Sequence, residues 1–404
     1  MSEKTKSKGF EISRKIVYAC SGANVRNDSA SILPLSDGRL LLAWSEYTGG
    51  SSGDVAPCRI SGIVSADEGR TWSERFVIQE GHEGGSVYSA SLLRMADGDI
   101  AVFYMYSNRV NDDHSAEEDV HVRFKRSRDD GRTWAESERI SDQKEATVLH
   151  HNDRAVMIAG SRIVVPVTIV RLRPGYPNYE CVMVYYSDDH GRTWKTSRGE
   201  VSTPGDLRGS CEPCIVELRG GRLLMFLRDA SGVLSKSYSV DGAETWSIPV
   251  PTDLPAHNSP MLVKRIPETN DLCLVWNQAD EQQVRWGYSR ARLTAAVSKD
   301  EGETWPLRKN LVSALDDRTR LDPPAKLFYK AACDQADRSA DDKKPKLEDR
   351  GTREKPVYSH SSYPSLLFYQ GRMFATYDAC GAVYPKDATR GLVLHITPYT
   401  WLYE

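Results

Sequence analysis

The chain has 404 residues, 40% of them hydrophobic, and its 53 basic and 56 acidic side chains leave a formal charge of −3. That balance excludes a global field for nucleic acid or an anionic membrane surface, so any attraction for an acidic ligand has to be local. Eight cysteines spread over this length form neither a dense disulfide framework nor a zinc pattern, and no run approaches the ~18 apolar residues of a membrane span.

The first ten residues are polar and lack the apolar core of a secretory signal. As written, this predicts a soluble cytoplasmic chain; a protein trimmed of its leader reads the same and would be secreted or periplasmic. Residues 10–19, FEISRKIVYA, read as a strand. They are followed by SILPLSDGRLLLAW (31–44), in which two apolar runs flank an Asp-Gly turn, a strong hairpin signal. The pattern returns in SLLRMADGDIAVFY (91–104), AVMIAGSRIVVPV (155–167), CIVELRGGRLLMFLR (214–228), MLVKRIPETNDLCLVWN (261–277) and SLLFYQGRMFATYD (365–378). A second pattern alternates with the hairpins. SADEGRTW at Ser65 recurs in altered form at Ser127, Ser187, Ser239 and Ser298, on the template S-x-D-x-G-x-T-W, with Ala243 in place of one glycine. The starts lie 62, 60, 52 and 59 residues apart, a period that signals a repeated supersecondary array.

Runs such as CRISGIVS and HVRFKRS before each box supply a third strand, and the segment after each box tryptophan a fourth. Six four-stranded units predict an all-β, six-bladed β-propeller spanning 1–404, with no helix of any length and with 10–19 closing the ring onto the last blade. The box is expected to be scaffold: Ser and Asp bond local backbone, Gly takes positive φ, and Trp packs between blades. Asp67, Asp129, Asp188, Asp241 and Asp300 are assigned that role. The charged, apolar-poor stretch 330–356 is expected to leave the ring. The pair Cys211 and Cys214 reads as small buried strand residues. No phosphate-binding glycine motif or nucleotide fingerprint is visible, so no cofactor, nucleic-acid partner or membrane partner is expected.

The boxes, their spacing and the six hairpins resemble the sialidase (neuraminidase) superfamily over nearly the whole chain. That resemblance implies three arginines gripping a sugar carboxylate, a tyrosine nucleophile assisted by a glutamate, and an aspartate acid/base. The chemistry is coherent, because guanidinium forks fix a planar carboxylate and a neutral phenol attacks an anionic sugar without carboxylate repulsion. By position, Glu212 before the fourth hairpin and Arg228 at its end match the family's glutamate and an arginine. Arg290, eight residues before the fifth box, matches the third arginine, with Arg292 as a competitor on the same strand face. Tyr363 opens the sixth hairpin as the nucleophile, with Pro364 between it and Ser365. Asp54, in a Gly/Ser loop, matches the lid-borne acid/base.

The first arginine departs from the family. The usual Arg-Ile-Pro is absent and the expected position falls on Asp28, with Arg26 two residues earlier and on the same strand face. The run His150-His151-Asn152-Asp153-Arg154 at the third hairpin's entrance is outside the family pattern. Asp153 and Arg154 are expected to touch ligand there and His151 to take part in proton transfer; the spacing is too tight for a metal site. His257-Asn258-Ser259 and Tyr88-Ser89 are placed at the same funnel. Three readings stay open: a retaining exo-sialidase, a hydrolase or lyase for another acidic sugar with His151 or Tyr363 as base, and a non-catalytic glycan- or protein-binding propeller. Oligomeric state and linkage preference are not legible.

Overall fold

The computed structural model describes residues 12–54, 56–81, 85–108, 119–141, 147–171, 178–206, 208–285, 290–327, 361–379 and 390–404; the stretch 330–356 lies outside them. Six antiparallel sheets, each built by consecutive hairpins, form the blades of a propeller. The inner strands of blades 1, 2, 4, 5 and 6 are Asn27–Pro34, Ser86–Arg94, Cys211–Glu217, Leu262–Arg265 and Ser365–Tyr369. Blade 6 is completed from both ends of the chain: Ser13–Ala19 pairs antiparallel with Gly391–Pro398, as the ring-closing reading of 10–19 requires. Among the described residues helix is confined to short turns, the five-residue α-helix Glu281–Arg285 in blade 5 and the 3-10 turns Ala159–Ser161 and Tyr399–Tyr403.

Blade 3 differs from the others. Its inner strand is broken into Thr147–Leu149 and Val156–Ile158, both paired to Arg162–Arg171, and the break is the His150–Arg154 run. The break sends Asp153 to the propeller axis. There its Oδ1 accepts from Ser31 Oγ of blade 1 at 3.0 Å and from Lys264 Nζ of blade 5 at 2.7 Å, and its Oδ2 from the Leu366 amide of blade 6 at 3.0 Å. Its own amide donates to the Ala90 carbonyl of blade 2. One residue thus ties blade 3 to four other blades. Asn152 does similar work through Nδ2, which donates to the carbonyls of Ala30, Tyr363 and Pro364. Serine hydroxyls finish the job, since Ser31 and Ser91 accept from the Leu92 and Ala155 amides across neighbouring blades. Inner strands stand at the edges of their sheets and need such bonds, because their buried unpaired backbone groups have no water to turn to.

The boxes behave as local knots. Asp67 Oδ1 accepts from the Thr71 amide at 2.7 Å and Oδ2 from the Thr71 hydroxyl at 2.7 Å, while Ser65 Oγ accepts from the Gly69 amide at 2.8 Å. The fifth box leaves no room for a side chain at its glycine: Gly302 has φ of 86°, and a Cβ there would stand 2.6 Å from Leu224 of the preceding blade. Ala243 tolerates the same conformation at φ 78°. The third box corrects one assignment. Its knot is made by Asp189, which accepts from the Thr193 amide and hydroxyl at 2.9 and 2.6 Å; Asp188 instead faces Arg162 and Lys195. The template spacing places the aspartate two residues after Ser187, and only that carboxylate can curl back onto the turn. Asp189→Ala is therefore expected to cost about 1–2 kcal/mol in urea unfolding, against about 0–1 kcal/mol for Asp188→Ala, which loses only exposed ion pairs.

Candidate active site

Inner strands reach the funnel through a repeated distortion. Ser29, Ser89, Asp153, Glu212 and Tyr363 all take positive φ, between 46° and 67°. In blades 1, 2 and 4 the ladder slips at the same place, between Asp28 and Ser31, Tyr88 and Ser91, and Cys211 and Cys214. Such bulges re-aim a side chain that strand alternation would bury between blades. Four of the five, Ser29, Ser89, Glu212 and Tyr363, face one cavity of about 260 Å³ that also receives Arg26, Asp54, His151, Arg228 and Arg290. Seven of the nine site residues expected from the sequence therefore meet.

The charges in this cavity come in pairs. Arg228 Nη1 donates to Glu212 Oε1 at 2.5 Å and its Nε to Asn258 Oδ1 at 2.7 Å. Arg26 Nη1 donates to Asp54 Oδ1 at 2.5 Å and to the Ser52 carbonyl at 2.9 Å, its Nε to Asp28 Oδ2 at 2.5 Å, and its guanidinium covers the Tyr47 ring at 4.5 Å. Arg208 Nε stands 3.2 Å from Glu180 Oε2. The Arg290 guanidinium lies over the Tyr363 ring, 5.3 Å from its centroid. His151 sits behind Glu212, with Nδ1 3.8 Å from Oε1 and Nε2 3.4 Å from the Thr168 hydroxyl, which in turn accepts from the Glu212 amide at 2.9 Å.

These contacts set the protonation states. Burial by itself would raise Glu212 and is the largest single influence, but Arg228, His151, Arg290 and Arg154 together outweigh it and hold the carboxyl down to about 2. Burial takes His151 down to about 4 against the upward pull of Glu212, so the imidazole is neutral in ordinary buffers. The Tyr363 phenol is raised, first by burial and then by the Glu212 charge beside it. Asp54 is lowered: burial opposes ionisation, and Arg26 followed by Arg290 overcomes it. The resting cavity thus holds a neutral phenol next to an ionised carboxylate, with Glu212 Oε2 buried and making no hydrogen bond.

Two expected ligand contacts are placed elsewhere. Asp153 is the axial tie described above, and Arg154 is 1% exposed beneath the cavity, donating to the Asn152 carbonyl. Neither lines the cavity, because the break in blade 3 turns His151 outward and the following residues inward. Arg292 is also excluded as the competitor of Arg290. Its strand begins only at Arg292, whose fully buried guanidinium is taken by Asp316 and Gln283, and Arg290, at φ 56°, lies before regular alternation starts. Tyr88 and Ser89 line the funnel; of the 257–259 run, Asn258 contributes by holding Arg228. Sequence reasoning missed Tyr47, Glu180, Arg208, Met105 and Leu149 in the lining; Tyr47 ends the observed strand Leu40–Tyr47, three residues past the hairpin read from the sequence, and the rest carry no local signal. Cys211 and Cys214 are buried free thiols, and no group of three metal-ligating side chains occurs among the described residues.

Five box knots on a six-bladed ring, with the Tyr363 phenol, three carboxylates and four arginines gathered at the funnel, define a sialidase-superfamily propeller. The chain belongs to the BNR repeat-like domain family, whose model matches residues 38–374. It is 28% identical over 321 residues to a sialidase of Micromonospora viridifaciens, covering 71% of this chain and 46% of that protein. It is 25% identical over 234 residues to a sialidase of Paraclostridium sordellii, covering 54% and 56%. The chain thus spans about half the length of the curated relatives it matches. Among solved structures, a Hadza microbial sialidase superposes with a TM-score of 0.65 at 16% identity over 94% of this chain and 67% of that one, a likeness in fold.

Proposed function

We propose that the chain is an exo-sialidase, a glycoside hydrolase that removes a terminal acidic sugar with retention of configuration. The observation that carries this reading is that Glu212, Tyr363, Asp54 and three arginines, spread over 338 positions of sequence from Arg26 to Tyr363, share one cavity. Its volume of about 260 Å³ is at or below the low end of the ~300–1,000 Å³ common for ligand pockets, which suits one sugar ring better than a chain. In this reading Arg228, Arg290 and Arg26 hold the sugar carboxylate. The Tyr363 oxygen attacks the anomeric carbon and passes its proton to Glu212 Oε2, while the glycosidic bond breaks and Asp54 protonates the leaving oxygen. Water then cleaves the aryl glycoside: Asp54 takes the water's proton, and Glu212 returns the phenol's. The neutral, buried His151 steadies Glu212.

The competing reading, a hydrolase or lyase for a uronate with His151 as base, is less well supported. Both ring nitrogens of His151 face protein groups, Thr168 and Glu212, and not the cavity centre. The two readings separate on substrate. Release of 4-methylumbelliferone from its sialoside and not from its glucuronide is expected; release from the glucuronide alone would overturn the proposal.

A further inference from the structure

The resting cavity is already occupied by its own acids. Arg26, assigned above to the sugar carboxylate, spends Nη1 on Asp54 at 2.5 Å and Nε on Asp28 at 2.5 Å. The two partners differ. The Asp28 side chain is fully buried in the inner strand of blade 1, whereas the Asp54 side chain is 58% exposed on the Gly/Ser loop. An incoming carboxylate can displace only the second. We infer that Asp54 and the substrate's carboxylate compete for Arg26, so that binding an acidic sugar releases Asp54 from its ion pair and loads it with the proton that the leaving oxygen later receives.

This inference rests on the proposed function and adds to it a coupling between binding and acid catalysis. The groups that act on Asp54 are Arg26, Arg290 and Glu212, while Asp28, Tyr47 and Tyr363 act on Arg26 from the other side. With the cavity empty, the two arginines keep Asp54 ionised, which is the wrong state for a general acid. A bound carboxylate takes up the charge of Arg26 and Arg290 and puts a new anion near Asp54. Both changes favour protonation. The sign follows from linkage: a group whose proton affinity rises on binding takes up a proton, so affinity for the acidic sugar increases as pH falls through the window between the free and bound values. Glu212 faces Arg228 and Arg290 too, but its side chain is 7% exposed, against 58% for Asp54, so the mobile proton is assigned to Asp54.

The test is calorimetric titration of the wild-type protein and of Asp54→Asn with N-acetylneuraminic acid at pH 5, in buffers of different ionisation enthalpy. The methyl ester of the same sugar is the control. Proton uptake by wild type, absent in the variant and with the ester, is expected. Because the variant no longer has an anion competing for Arg26, it should bind the acid about two- to five-fold more tightly, the worth of a partly exposed ion pair. Binding by wild type without proton uptake, or equal affinity and equal uptake in Asp54→Asn, overturns the inference and leaves the proposed function standing. Failure of the wild type to bind the acid overturns both.

Discussion

Tyr363→Phe is expected to lower kcat/KM on an aryl sialoside by on the order of 10³-fold or more while leaving the fold intact. The variant removes one oxygen and nothing else the ring uses. What Asn152 binds at this position is the Tyr363 main-chain carbonyl, and the contact with Arg290 is through the ring face; both survive in phenylalanine. The loss should fall in kcat, since the phenol oxygen forms a bond only during reaction, and KM should change little because the arginines remain. Tyr47 and Tyr88 also line the cavity. Tyr47 cannot substitute, because it lies under Arg26, whereas Tyr363 is the phenol raised by the Glu212 charge. Retention of more than a tenth of the wild-type rate would sink the nucleophile assignment.

Asp153→Ala should have the largest effect on stability, about 3–5 kcal/mol, because it removes a buried carboxylate that serves three donors, one of them a partly buried ammonium. The ammonium is that of Lys264, and the Leu366 amide and Ser31 hydroxyl lose their acceptor as well. The midpoint of urea unfolding reads the loss. Adding Lys264→Met should recover part of it, since the double variant no longer holds a partly buried ammonium without its carboxylate. A folded Asp153→Ala protein with unchanged urea midpoint and a sharply raised KM would reverse the assignment and return Asp153 to the ligand, where its place in the sequence first put it.

The contrast between Asp153 and Glu212 shows how legibility divides. Both stand at strand entrances, both have positive φ, and both look from the sequence like funnel residues. Glu212 reaches the cavity because its bulge lies within a continuous inner strand. Asp153 misses it because blade 3 is broken over residues 150–155, a feature that period-two reasoning treats as an ordinary strand start. The choice between Arg290 and Arg292 failed to resolve for a related reason. Alternation places two residues on one face only where both are in the strand, and the strand begins at the second of them. Arg26, by contrast, was recoverable. It lies one residue before its strand, which begins at Asn27, and still lines the cavity, with Asp28, which occupies the expected position, as its buried partner.

By itself the sequence determined the wheel. Box spacing, hairpin turns and apolar alternation are local signals, each fixed by backbone conformation over a few residues, and they suffice for six sheets and a ring closed by the N-terminal strand. Only the tertiary structure decided which charges meet. The pairing of Arg228 with Glu212 depends on a bulge, and the pairings of Arg26 with Asp54 and Arg208 with Glu180 join strand entrances to loops distant in the sequence. No periodicity encodes the bulge, because it arises where inner strands of different blades compete for the same axial hydrogen bonds.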